Sequence, residues 1–374
     1  MHAIVVGAGV LGASTAYHLA RSGAAVTVFD RRDLGRATSA GAGIICPWVS
    51  AIEDPAYRAI ASAAARYYPK LIASLHEDGE HELGYRHVGS LVVPDDPVVL
   101  DETERRLHER RVDWPEIGAV RRLTPAQAVA LFPPLAPGRA AVHLEGAARV
   151  DGRLLNTALL NAAQKRGAVV RDAVSEILVS NGRVRGVKTP NGTADADIVV
   201  VTAGAWAPAL LAPLAMTLDV QPQRGQILHL RVAADTSGWP VLQPLNTYYL
   251  LTFDDRRVVV GATRETGSGF DYRVTAKGQA EVLNIALAVA PGLADAEVIE
   301  TRIGFRPMGP NNRPLLGPCG GIAGLLVGNG LGPSGLTIGP YAGALLADAA
   351  RNRALDLDLA PYSPEHQANM PAAD

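Results

Sequence analysis

Apolar positions change period twice within the first thirty residues. Ala3 to Val6 is a short unbroken apolar run, as in a strand buried on both faces. Ala13 to Arg21 follows at helical spacing, and after Gly23 the run Ala25 to Phe29 returns to strand character and stops on Asp30. Residues 1–31 therefore predict a βαβ start. Farther on, Pro55 to Leu75 predicts a helix kinked or broken at Pro69, Val88 to Val93 a strand closed by Pro94, and Val98 to Arg110 a charged, exposed helix. Thr124 before Pro125, and Asp151 before a helix through Leu154 to Arg166 ended by Gly167, read as N-caps. Val169-Val170 and Ser175 to Val179 predict strands, Asn181-Gly182 a hairpin turn into Val184 to Thr189, and Ile198 to Val201 a buried strand.

From Asp219 to Thr263 the pattern is antiparallel, with strands at Gln226 to Val232, Tyr248 to Thr252 and Val258 to Gly261 and a turn at Asp254-Asp255. Lys277 to Ala290 predicts a helix, Thr301 to Pro307 and Gly324 to Val327 strands, Gly339 to Ala350 a small-residue helix, and the polar C-terminal end a frayed one. Nucleotide-type and antiparallel pieces thus alternate. The expected fold is α/β (α+β overall), with a discontinuous Rossmann-type domain of 1–85, 145–217 and 301–365. A substrate domain of 86–144 and 218–300 is interleaved with it.

The first turn carries chemistry. Gly7, Ala8, Gly9, Val10, Leu11 and Gly12 set three glycines at the G-x-G-x-x-G spacing between strand and helix. Gly7 permits the tight turn, Gly9 a close approach to a pyrophosphate, and Gly12 close packing of helix on strand. The helix start then offers free N–H groups and a partial positive charge. Asp30, with Arg31 beside it, ends the second strand where a carboxylate can accept from a ribose diol. This predicts a dinucleotide site.

Composition narrows the setting. The 374 residues suit two domains, and 48% hydrophobic with 19% charged residues suits a globular protein. A formal charge of -2 leaves no basic field for nucleic acid, and no apolar run is long enough to span a membrane. With the first strand almost at Met1, no signal peptide is expected, and the expected location is the cytoplasm. Cys46 and Cys319 are too few for a disulfide framework or a four-ligand metal site.

Glycine-rich turns recur at Thr202-Ala203-Gly204 and at Gly328 to Gly335, the second leading into a helix whose N–H groups suit an electron-accepting ring. Taken with Thr38-Ser39-Ala40-Gly41-Ala42-Gly43, Val150-Asp151, Thr202-Ala203-Gly204-Ala205-Trp206 and Gly304-Phe305-Arg306-Pro307, the chain resembles the flavin-dependent D-amino acid oxidase superfamily over nearly its whole length. That superfamily includes glycine oxidase, sarcosine oxidase and D-amino acid dehydrogenases. The resemblance implies FAD, two-electron oxidation of an amine by hydride transfer to flavin N5, and hydrolysis of the imine. It implies that Thr38 to Gly43 meets the pyrophosphate and flavin ring, that Val174 meets the adenine, and that Thr202 to Gly204 passes the adenosine. The ring's pyrimidine end would lie on Gly330, Leu331, Gly332, Pro333, Ser334, Gly335 and Leu336.

Arg306 matches the family's carboxylate-binding arginine, a role that its two-pronged guanidinium suits. Arg302, four residues earlier, is the rival on the same face of a strand. One of Tyr248 and Tyr249 is expected to assist, with Tyr249 favoured, because adjacent strand residues face opposite ways. His87, His143 and His229 are read as structural, and Trp48 as pocket wall or core. Cys319 lies beyond the position of the family's flavin-linking cysteine, so noncovalent FAD is expected. The expected substrate is a small amino acid, D or glycine-like, with a secondary amine or imino acid as the nearer alternative. A flavin monooxygenase, or a domain that binds FAD without turning over amines, stands behind these. Oxygen versus another electron acceptor, and a homo-oligomer versus a monomer, stay open.

Overall fold

The computed structural model describes residues 1–367; the polar C-terminal end expected to fray lies largely outside them. The predicted βαβ start forms as strand His2–Val6, helix Val10–Arg21 and strand Ala25–Phe29, the two strands parallel with Val6 opposite Phe29. Around this pair runs a six-stranded sheet in the order Leu315–Pro318, Leu325–Asn329, Ile198–Val201, His2–Val6, Ala25–Phe29, Val169–Arg171. Only the Leu315–Pro318 edge is antiparallel to its neighbour. Ile4, Val5, Val28, Val199 to Val201 and Val327 are fully buried, which is why these strands read as continuous apolar runs.

Helix Val10–Arg21 packs between Gly152–Lys165 and Gly335–Ala350. Small residues set the distance to the second of these: a Cβ on Gly343 would fall 2.6 Å from Ser14 Cβ, and Ser14 Oγ donates to Pro340 O at 2.6 Å. Asp151 caps Gly152–Lys165 as expected, accepting from the backbone N–H of Arg153 and Leu154. Asn181 and Gly182 both take positive φ (52° and 69°), the mirrored turn that suits the twist of the hairpin they join.

The second large sheet has nine strands and is almost wholly antiparallel. Its spine is Gln221–Arg231, paired on one side with Glu297–Met308 and on the other with Arg257–Gly261, which leads to Tyr249–Thr252. Helix Ala276–Val289 packs on it through Val282, Ala286 and Val289. Thr124 caps a short helix in a reciprocal box with Gln127.

Three features depart from the sequence reading. Helix Pro55–Glu77 is not broken at Pro69, and Tyr68 beside it is fully buried and donates to Leu336 O. Strands Val120–Leu123, Ala141–Leu144, Gly192–Asp195 and Val241–Gln243 carry too little alternation to be read. The expected boundary between 300 and 301 cuts strand Glu297–Met308, which pairs with Gln221–Arg231 from Met308 back to Glu297.

Candidate active site

A cavity of about 1010 Å³ separates the two sheets, with one wall from each. On the parallel-sheet side the wall is mostly backbone. Gly7 sits at φ +106°, its N–H donates to Phe29 O at 2.7 Å, and a Cβ there would lie 2.5 Å from Thr202 O. A Cβ on Gly12 would fall 1.9 Å from Gly7 O and 2.4 Å from Thr202 Oγ1. Thr202 locks the turn by donating its hydroxyl to Gly7 O at 2.9 Å. The helix start has no acidic residue in its first turn, Gly9 supplies no side-chain cap, and Val10 N–H is taken by Thr38 Oγ1 at 3.0 Å. Beyond Val10, such an end suits an anion.

Asp30 closes this wall. Its Oδ2 accepts from Ala8 N at 2.6 Å and its Oδ1 from Arg32 N at 2.6 Å, which fixes the carboxylate while it still lines the cavity. Thr38, Ala40, Gly41, Ala42 and Gly43 continue the lining, and Gly43 at φ +95° lies against Val150, whose N–H donates to Gly43 O at 2.8 Å. Val174, Thr202, Ala203, Gly204 and Trp206 line it also. Asn329 holds the last glycine turn in place, donating to Gly204 O at 2.9 Å and accepting from Gly330 N at 2.8 Å. Leu331 to Leu336 line the cavity, and Ser334 shares a hydrogen bond of 2.7 Å with Tyr57.

The antiparallel wall presents side chains: Gln243, Tyr248, Tyr249, Arg264 and Arg306. Arg306 Nη1 donates to Thr263 O at 3.0 Å and to Gln223 Oε1 at 3.3 Å. Both partners are neutral, and burial is the main effect disfavouring its charged form. Gly225 makes room for it, since a Cβ there would lie 2.5 Å from a guanidinium nitrogen. Tyr249 begins strand Tyr249–Thr252; burial raises its hydroxyl pKa and the Arg306 charge draws it back. Tyr248 donates its hydroxyl to Glu281 on the neighbouring helix.

Several expected site residues fall elsewhere. Both tyrosines line the cavity, not one, because Tyr248 precedes the strand and so escapes its alternation. Ala8, Gly12, Ser39 and Gly330 do not line it: Ala8 holds Asp30, Gly12 seats helix on strand, Ser39 O accepts from Arg153 at 3.1 Å, and Gly330 turns the chain at φ +67°. Arg302 lines a separate, smaller cavity and pairs with Glu300 at 2.5 Å, since four strand residues carry it about 13 Å from Arg306. His229 is buried at 2% exposure beside Arg257, and Trp48 is buried with its indole N–H on Gly146 O at 2.7 Å. Arg264, Gly225 and Gln243 were not readable from sequence; only the folded chain brings them here.

A dinucleotide fits the parallel wall, with glycines where a Cβ would collide, a helix start whose N-cap glycine brings no side chain, and a carboxylate held at the strand end. Comparison with known proteins agrees. A family described as FAD dependent oxidoreductase matches residues 2–349. An oxidoreductase of Bacillus subtilis, YurR, is 50% identical over 363 residues, covering 96% of this chain and 98% of that one. Glycine oxidase of Pseudomonas aeruginosa is 33% identical over 366 residues, covering 96% and 98%. Among solved structures, iminodiacetate oxidase from Chelativorans sp. BNC1 superposes with a TM-score of 0.95 at 52% identity, covering 97% of this chain and 98% of that one. Glycine oxidase from Geobacillus kaustophilus gives 0.86 at 28% identity, covering 96% and 97%. With the dinucleotide cradle, the two-sheet architecture and matches spanning nearly its whole length, this chain belongs to the FAD-dependent oxidoreductase family.

Proposed function

We propose that this enzyme oxidises a small carboxylate-bearing amine at the carbon next to nitrogen. The observation that carries the reading is Arg306, a guanidinium on the cavity wall held by neutral groups alone and so free to take a carboxylate in its two-pronged grip. FAD, bound along the glycine wall, supplies the hydride acceptor at N5, and the resulting imine is hydrolysed to a 2-oxo acid and an amine or ammonia.

The chain's own residues then have distinct tasks. The Val10–Arg21 helix start receives the pyrophosphate, Asp30 the ribose diol, and Thr38 to Gly43 with Leu331 to Leu336 enclose the ring. Binding is noncovalent in this reading: Cys319 does not line the cavity, and burial pushes the Cys46 thiol, which does, up to about 12. Arg306 fixes the substrate carboxylate and with it the position of the reacting carbon, and Tyr249 stands beside that anchor. The positive wall also favours loss of the ammonium proton, which frees the nitrogen lone pair.

The substrate amine is secondary before it is primary. Identity of 52% to an iminodiacetate oxidase, against 33% and 28% to glycine oxidases, supports that order. The glycine-like primary amine, favoured from sequence alone, is the second reading. Anaerobic titration of the holoenzyme with iminodiacetate, sarcosine, proline, glycine and D-amino acids tests both. Bleaching by a secondary amine first is the expected result, and admitting air then separates oxidase from dehydrogenase. If no amine in the set bleaches the flavin, the amine chemistry fails.

A further inference from the structure

A second cavity, of about 370 Å³, lies beside the first, and Asp33, Arg36 and Ala40 line both. Four arginines line the smaller one, Arg32, Arg36, Arg153 and Arg302, against a single carboxylate, Asp33. Asp33 is taken by Arg31 at 2.9 Å. Arg36 reaches Asp30 at 3.5 Å and Arg302 reaches Glu300 at 2.5 Å, while Arg153 comes only within 4.0 Å of that same glutamate. Neither Asp30 nor Glu300 lines the small cavity. Among the described residues Arg32 has no carboxylate within ion-pair distance, and its backbone sits at φ +57° with its N–H on Asp30 Oδ1. The lining is therefore rich in positive charge. Burial pushes the Arg302 guanidinium down, and the charges of Arg153 and Arg257 push the same way against the pull of Glu300.

An unmet acceptor stands among these donors. Asn156 lines the same cavity, and its Nδ2 donates to Ala8 O at 3.1 Å, which fixes the direction of the amide. Its Oδ1 is buried with no hydrogen-bond partner. A buried acceptor left bare costs free energy, as do like charges without a counter-ion. One kind of ligand relieves both: an oxyanion with several oxygens for the guanidinium groups and one hydrogen-bond donor for Asn156. A carboxylate fills a single arginine fork, whereas a tetrahedral phosphate can reach several.

The same residues hold parts of the flavin wall. Arg36 is on Asp30, Arg153 Nε donates to Ser39 O at 3.1 Å, and Asn156 holds Ala8, whose N–H in turn holds Asp30. An anion that fixes these three side chains also fixes the wall they grip. We propose that the second cavity binds a small phosphate-type oxyanion carrying a hydrogen-bond donor, with its oxygens on Arg32, Arg153 and Arg302 and its donor on Asn156 Oδ1, and that its occupancy slows loss of the flavin. Hydrogen phosphate and a phosphoester with a neighbouring hydroxyl share this chemistry.

The test titrates FAD-loaded enzyme, whose glycine wall is already filled, by calorimetry at fixed ionic strength with inorganic phosphate, glycerol 3-phosphate and sulfate. Phosphate should bind saturably and about tenfold tighter than sulfate, which near neutral pH offers no donor. Arg153→Gln should weaken phosphate about tenfold, and Arg32→Gln should weaken phosphate and sulfate alike. Asn156→Ala should bring phosphate down to the level of sulfate. Glycerol 3-phosphate binding tighter than phosphate assigns the cavity to a phosphoester, and weaker binding assigns it to the free ion. Flavin release, followed by its fluorescence on dilution, should slow about threefold or more with saturating phosphate in the wild type and not in Arg153→Gln. No saturable binding up to about 10 mM, equal binding of phosphate and sulfate, or phosphate binding that survives Arg153→Gln overturns the site. Release that ignores bound phosphate overturns the coupling to the flavin.

Discussion

The two walls of the cavity are built from opposite materials. Along the parallel sheet the lining is backbone, and its geometry is set by what glycine lacks: Gly7 and Gly12 stand where any Cβ would strike Thr202 or Gly7 O. Along the antiparallel sheet the lining is side chain, and its geometry is set by pairing. Gly225 lies opposite Gly304 and Gln223 opposite Arg306, so register places both the Arg306 guanidinium and the gap that admits it. The first wall presents N–H groups and a helix end, groups that suit the phosphates common to every dinucleotide. The second lines the cavity with two arginines and two tyrosines. A family can keep the first and vary the second, which agrees with relatives of one fold described as glycine and iminodiacetate oxidases.

Damage to the two walls should separate. Gly7→Ala imposes a Cβ at φ +106° against Thr202 O; it should cost about 3 kcal/mol or more and yield protein with little bound flavin. Thermal unfolding and the ratio of flavin to protein absorbance check this. Arg306→Ala should leave flavin in place and raise KM for carboxylate amines on the order of 100-fold, because a charge-assisted pair is lost. Steady-state kinetics at fixed flavin content would break the comparison if KM stayed put, or if the flavin left instead.

A smaller pair of changes sharpens it. Gly225→Ala pushes against the guanidinium without touching substrate. KM should rise ~10-fold with kcat less affected, and a simple loss of stability would not produce that split. Tyr249→Phe should cost about 5-fold in kcat/KM, the worth of one ordinary hydrogen bond. Tyr248→Phe should cost less, because that hydroxyl already donates to Glu281. Equal losses at the two tyrosines would put both hydroxyls on the substrate.

How much the sequence revealed follows the same division. The Gly7 to Gly12 turn and Asp30 were legible because their constraint is local and its spacing is written in consecutive residues. Arg306 was legible only through a four-residue motif and a resemblance. Arg264 was not legible at all: nothing near it distinguishes it among 35 lysines and arginines, and only the folded chain brings it to the cavity wall. Strand parity misjudged Arg302, because it gives the face of a residue and not its distance along the strand. Parity likewise admitted one tyrosine to the pocket, since it could not say that the strand begins at Tyr249.

The smallest effect asks whether the two walls unfold together. His18, on the helix behind the glycine turn, and His229, on the antiparallel spine, are each pushed down to about 3 from 6.5, burial being the main cause in both. His18 faces Arg21, Lys70 and Tyr67, and His229 faces Arg257, Arg302, Glu300 and Arg153. Well above 6.5, from about pH 8 upward, neither state of either histidine binds a proton, so neither contributes to pH dependence there. Below it the unfolded chain binds protons that the folded chain refuses. Stability then falls as pH drops toward 3, by about 0.8 kcal/mol per histidine already at pH 6. His18→Gln and His229→Gln should each flatten that slope in urea unfolding between pH 7 and pH 5. If the sheets unfold as one unit, both substitutions flatten the same transition. Two transitions, each flattened by one substitution, would mean that the cavity is a seam between separately stable halves.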